Sequence, residues 1–83
     1  DDEEMQKRDV LLRVKTANTD AARIEVEKEF EEFLKRWRLG GVVHEPDGTH
    51  IVEYAVQLKK SARSSEFLEQ LNKKDIVMEA EIR

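Results

Sequence analysis

At 83 residues, 41% of them charged and 39% apolar, the chain is long enough for one domain with a small core and too short for two. It has no cysteine, which removes disulfide frameworks and thiolate metal sites. Its 15 Lys and Arg against 19 Asp and Glu leave a net charge of −4, which argues against general affinity for nucleic acid or for an anionic membrane. No run of about 18 apolar residues is present to cross a bilayer, and no signal-peptide pattern opens the chain.

Asp1–Arg8 (DDEEMQKR) has a single apolar residue and reads as a solvated lead-in or linker to one domain over 9–83. The absence of an initiator methionine, and a last strand that runs to Arg83, suggest a domain excised from a longer chain. Asp9–Thr16 reads as a strand, with Val10, Leu12 and Val14 on one face and Leu11, Arg13 and Lys15 on the other. The polar stretch that follows offers Thr19 or Asp20 as a helix N-cap. The spacing of Ala22, Val26, Phe30, Phe33, Leu34 and Trp37 predicts an amphipathic helix over Ala21–Arg38. Glu31–Lys35 and Glu32–Arg36 would pair one turn apart on its outer face, and Gly40–Gly41 would end it.

Val42–Glu45 is expected to be a short edge strand, joined by Pro46-Asp47-Gly48-Thr49 to a long strand at His50–Lys60. In that strand Val52, Tyr54, Val56 and Leu58 alternate with Ile51, Glu53, Ala55, Gln57 and Lys59, giving one dry and one wetter face. Ser65–Lys74 reads as a second helix, with Ser64 as N-cap and Phe67, Leu68 and Leu71 inward. Asp75–Arg83 reads as the last strand, with Ile76, Met78, Ala80 and Ile82 inward and Val77, Glu79 and Glu81 outward.

The order β-α-β-β-α-β, with right-handed crossovers, predicts an α+β, ferredoxin-like fold. Its four-stranded antiparallel sheet would run fourth, first, third, second, with both helices on one face. The chemistry that such a fold hosts can then be tested against the residues. The outer positions of the first and third strands carry no aromatic to stack bases, and Glu53 would repel phosphate, so nucleic-acid recognition is not expected. The loop Thr16–Asp20 has no Gly or Arg to cradle a phosphate. No nucleophile elbow or Gly-rich phosphate loop is present, so neither catalysis nor a cofactor is expected.

Two features remain. His44 and His50 flank the Asp-Gly turn. With a two-residue turn, Glu45 would face His50 and His44 would lie diagonally across, a weak partial site for a metal ion. The outer sheet face would mix apolar and charged side chains, Leu11, Arg13, Ile51, Glu53, Ala55 and Val77, a composition that suits a partner surface or a two-fold dimer.

The element order, the segment Phe33–Leu39 (FLKRWRL) leading into a short strand, and Val52–Lys60 (VEYAVQLKK) followed by an E-F-L-E-Q-L helix make the chain similar to a small ACT-like domain. It resembles the C-terminal soluble domain of MgtC-type and related uncharacterised bacterial membrane proteins over roughly 9–83. The resemblance implies a cytoplasmic regulatory or oligomerising domain tethered to a membrane protein by a further segment. ACT domains tend to carry a Gly in the loop after the first strand. Thr16–Asp20 lacks one, so no ligand residues are carried over. The expected function is thus a non-enzymatic regulatory or interaction domain that acts by homotypic sheet contacts or by contact with its parent protein. The alternative is a small-ligand or metal-sensing module.

Overall fold

A computed structural model describes residues 9–83; the expected lead-in at 1–8 lies outside the described residues. The elements are β1 (Val10–Thr16), α1 (Thr19–Phe33), β2 (Leu34–His44), β3 (His50–Leu58), α2 (Ser64–Asn72) and β4 (Glu79–Ile82). The sheet has four strands in the order β2-β3-β1-β4, all neighbours antiparallel. This is the α+β, ferredoxin-like βαββαβ arrangement that the hydrophobic pattern implies.

The alternation in β1 and β3 sets one side of the sheet. Leu12, Val14, Val52, Tyr54 and Val56 are fully buried, and they form one core with Val26, Phe30 and Phe33 of α1 and Phe67 and Leu71 of α2. Phe30 is the hub: its ring meets Tyr54 edge-on at 4.9 Å, Trp37 at 5.0 Å and Phe67 at 6.0 Å. Edge-to-face pairs of this kind add about 0.5–1.5 kcal/mol each beyond the area they bury.

The first helix is shorter than its periodicity suggests. It stops at Phe33, and Leu34 is already extended, at φ −108° and ψ 135°. Lys35 to Arg38 therefore belong to β2, and the expected Glu31–Lys35 and Glu32–Arg36 pairs do not arise. The reason is tertiary. A helix running to Arg38 would take its last residues away from the outer edge of β3, whereas the strand pairs from Leu34↔Leu58 through Trp37↔Val56 to His44↔His50.

The helix end needs no glycine. Lys59 donates its backbone N–H to Phe33 O at 2.9 Å, and its ammonium donates to Glu31 O, so carbonyls left free by the last turn find partners. Gly40 serves a different purpose. It lies at a register shift between Leu39 and Gly41, where a Cβ would come within 3.2 Å of the Glu53 carbonyl oxygen.

Three smaller boundaries also differ. Asn18, not Thr19 or Asp20, caps α1 by accepting from Ala21 N–H at 3.1 Å. Arg63 occupies the cap position of α2 without a side-chain bond, and Ser64 is the first residue of the helix. The last strand begins only at Glu79, because the chain after α2 turns first, with Lys74 N–H on Leu71 O and Val77 N–H on Lys74 O. That turn takes Val77 out of the strand alternation: it is 6% exposed and part of the core, while Met78, expected inside, is 57% exposed.

Candidate interaction surface and histidine pair

The outer face of the sheet follows from the register. Leu11 lies opposite Ala55, Arg13 opposite Glu53 and Lys15 opposite Ile51, all on the side away from the core residues. Of the six residues expected on this surface, Leu11, Arg13, Ile51, Glu53 and Ala55 are there, partly exposed. Val77 is not, being held in the core by the turn before β4.

Arg13 is the electrostatic centre of the face. Its Nε lies 3.1 Å from Glu53 Oε2 without the alignment of a hydrogen bond, and its Nη1 lies 3.6 Å from Glu81 Oε1. Glu81 also pairs with Arg83 at 3.2 Å. Arg13 is thus enclosed by two carboxylates on neighbouring strands, and the middle of the face is charge-balanced from within.

Three of the five exposed large apolar side chains among the described residues lie on β2; the other two, Ile24 on α1 and Met78 before β4, lie elsewhere. Trp37, Leu39 and Val43 are 40%, 39% and 40% exposed. Trp37 and Leu39 sit on the helix side, opposite Val56 and Tyr54; Val43 sits on the outer face, opposite Ile51. Lys35, Arg36 and Arg38 precede and interleave with them. Arg36 donates to Asp9 from Nε and Nη2 at 3.3 and 3.2 Å, beside a depression of about 200 Å³ lined by Asp9, Arg36, Trp37, Arg38 and Ala55. Sequence periodicity missed this strip because it assigned Trp37 to a buried helical stripe.

The two free edges of the sheet are dressed differently. On β4, the carboxamide of Asn72 at the end of α2 accepts from Ala80 N–H at 2.9 Å and donates to Ala80 O at 3.3 Å, while also donating to Leu68 O at 2.9 Å. A side chain thereby takes the place of a neighbouring strand. β2, at 11 residues the longest strand, has β3 on one side and nothing across its other edge among the described residues.

A polar network joins β3 to α1. The Tyr54 hydroxyl donates to Glu27 Oε2 at 2.8 Å, and Arg23 Nε donates to the same oxygen at 3.0 Å. Burial, reinforced by the Glu27 carboxylate, pushes the Tyr54 phenol well above its ordinary value, so it stays a donor.

The β2–β3 connection differs from the two-residue turn expected. Gly48 N–H bonds Glu45 O at 3.1 Å and Glu45 N–H bonds Thr49 O at 2.9 Å, which leaves a three-residue loop with Gly48 at φ +88°. Asp47 accepts from Thr49 N–H at 3.0 Å and from its hydroxyl at 2.6 Å, and these bonds hold its carboxyl below the usual range. The longer loop shifts the register by one residue relative to expectation. Glu45 pairs with Thr49, and His44 stands directly opposite His50, their Nδ1 atoms 2.7 Å apart. No three His, Cys, Asp or Glu side chains converge among the described residues.

The β1–α1 loop uses its polar groups internally. The buried Thr16 hydroxyl donates to Ile76 O at 2.9 Å and accepts from Asn18 N–H at 3.1 Å, and the Asn18 side chain is spent on the helix cap. No helix among the described residues is long and apolar enough to cross a membrane. No protein-family model matches the chain, and no curated protein matches it.

Proposed function

We propose that the chain is a non-enzymatic interaction domain that joins to a second copy of itself through the open edge of β2, extending the sheet. The observation that carries this reading is the contrast between the edges: β4 is closed by Asn72, while β2 presents a backbone unpaired among the described residues beside Trp37, Leu39 and Val43. Charge selects the partner and its direction. The cations Lys35, Arg36 and Arg38 lie in the first half of β2, and its second half, Gly41 to His44, has neither Lys nor Arg. In a two-fold pair the strands run antiparallel, so the cationic half of one copy meets the uncharged half of the other. Parallel pairing would set cation against cation. The regulatory role and the cytoplasmic, membrane-tethered setting implied by the resemblance to MgtC-type C-terminal domains belong to this proposal as the context in which such pairing would operate.

Sedimentation velocity over a range of concentrations tests the pairing. A monomer–dimer equilibrium is expected, and Val43→Lys, at an exposed position, should shift it to monomer while the circular dichroism spectrum is unchanged. A wild-type chain that stays monomeric at the highest concentration overturns the homotypic reading. A dimer that tolerates Val43→Lys and Leu39→Lys places the contact elsewhere and overturns the choice of β2.

A further inference from the structure

We infer that His44 and His50 form a two-imidazole site for a first-row transition metal ion of the Zn²⁺, Ni²⁺, Cu²⁺ class. The hairpin positions the pair. The three-residue loop and the Asp47–Thr49 bonds fix the β2–β3 register, and that register places the two histidines directly opposite each other. Both side chains lie on the helix side of the sheet, at its end: His50 also faces Thr16, the last residue of β1.

The rings meet at right angles with centroids 4.8 Å apart, and it is the Nδ1 atoms that converge, at 2.7 Å. As a neutral pair, one ring donates its Nδ1–H to the bare Nδ1 of the other. If the donor ring passes to its Nε2–H tautomer, both Nδ1 lone pairs point into the same space, and no net proton is released.

The distance fits a metal. With metal–nitrogen bonds of about 2.0–2.1 Å, two ligands stand about 3.3 Å apart in a tetrahedral site and about 3.0 Å apart at adjacent octahedral positions. Opening the pair by roughly 0.3–0.6 Å, within the reach of small side-chain rotations, admits the ion. Imidazole nitrogens suit Cu²⁺, Ni²⁺ and Zn²⁺, and hard cations such as Mg²⁺ and Ca²⁺ prefer oxygen. Only two protein ligands converge among the described residues, so water fills the remaining positions and the ion exchanges readily. The backbone is already pinned by the hairpin, so binding orders only two side chains.

His44 is the last residue of β2, within the half that meets the partner in the proposed pairing, so the site is tested by metal binding and not by self-association. The test is calorimetric titration of the untagged chain with Ni²⁺ and with Zn²⁺, monitored in parallel by imidazole resonances; the chain has only two histidines, so the signals are unambiguous. The expected result is saturable 1:1 binding that shifts both rings, with affinity falling at least about tenfold in His44→Gln and again in His50→Gln, the scale on which even outer-shell losses weaken metal sites. Mg²⁺ should produce no imidazole shift. Absence of saturable binding overturns the inference. So does binding that moves neither imidazole, or affinity unchanged in a folded His44→Gln, either of which would assign the ion to carboxylates. The wild-type resonances decide the matter even if a variant fails to fold.

Discussion

β4 and β2 are the two edges of one sheet, and among the described residues the first is closed while the second is open. β4 is four residues long and carries a carboxamide from α2 where a fifth strand would lie. β2 is 11 residues long, with register irregularities at Leu34/Arg36 and Leu39/Gly41 and three cations. Irregularities and charges on an edge blunt indiscriminate pairing; in the proposed dimer they reject strands of the wrong direction or charge. An edge that is capped serves stability; the other edge is the one the proposed pairing would use.

The contrast can be broken from the β4 side. Asn72→Ala removes the two bonds to Ala80 and leaves that edge bare, so it should cost about 1–3 kcal/mol of stability by urea denaturation at roughly 1 kcal/mol per bond plus the exposed group. The same variant should form larger assemblies in sedimentation, since both edges would then be open. Unchanged stability would show that Asn72 is not a cap.

From the β2 side, Trp37→Ala deletes edge-to-face contacts with Phe30 and Tyr54 and should cost about 1–2 kcal/mol, less than burial of a whole indole because the ring is half exposed. A smaller effect is expected at Tyr54→Phe, which removes one hydrogen bond to Glu27, about 0.5–1.5 kcal/mol. The pH dependence of that variant carries a sign. The folded-state phenol is raised above its unfolded value, so its contribution is present in full below about pH 10 and is lost as pH rises, because the folded chain then holds more protons than the unfolded one. As the chain has one tyrosine, absorbance of tyrosinate reports it directly, and Tyr54→Phe should flatten the alkaline loss of stability. The smallest change in stability, within about 0.5 kcal/mol, is expected for Ile51→Lys on the outer face. It should nevertheless weaken self-association, because Ile51 lies beside Val43. If Ile51→Lys leaves the dimer intact while Val43→Lys dissociates it, the contact is confined to the edge and does not extend onto the face.

Each departure from the sequence reading has an identifiable cause. Residues 30 and 37 share a stripe in an α-helix, and they also touch when a strand folds straight back along the helix it leaves, so the Phe30–Trp37 contact is compatible with both. Composition alone cannot choose between them; the open side of β3 does. Val77 and Met78 exchange places because a turn, which strand alternation does not encode, comes before β4. The pairing of the two histidines turns on a loop of three residues rather than two, a change of one residue that alters every pair near the hairpin. The cap on β4 joins residues 72 and 80 through a side chain that the helix brings to the strand edge only once it has packed.

What the sequence by itself determined is the order of the elements, the strand order, and which residues of β1 and β3 face the helices. Periods of two and of about 3.6 arise from the backbone, and burying one side of each element leaves few ways to stack them. What only the tertiary structure decided is where α1 stops, which edge stays open and which residues stand opposite one another at the hairpin. The helix end and the open edge depend on how elements distant in the chain pair and pack, while the hairpin register depends on the geometry of one short loop, which residue type alone leaves open between two and three residues.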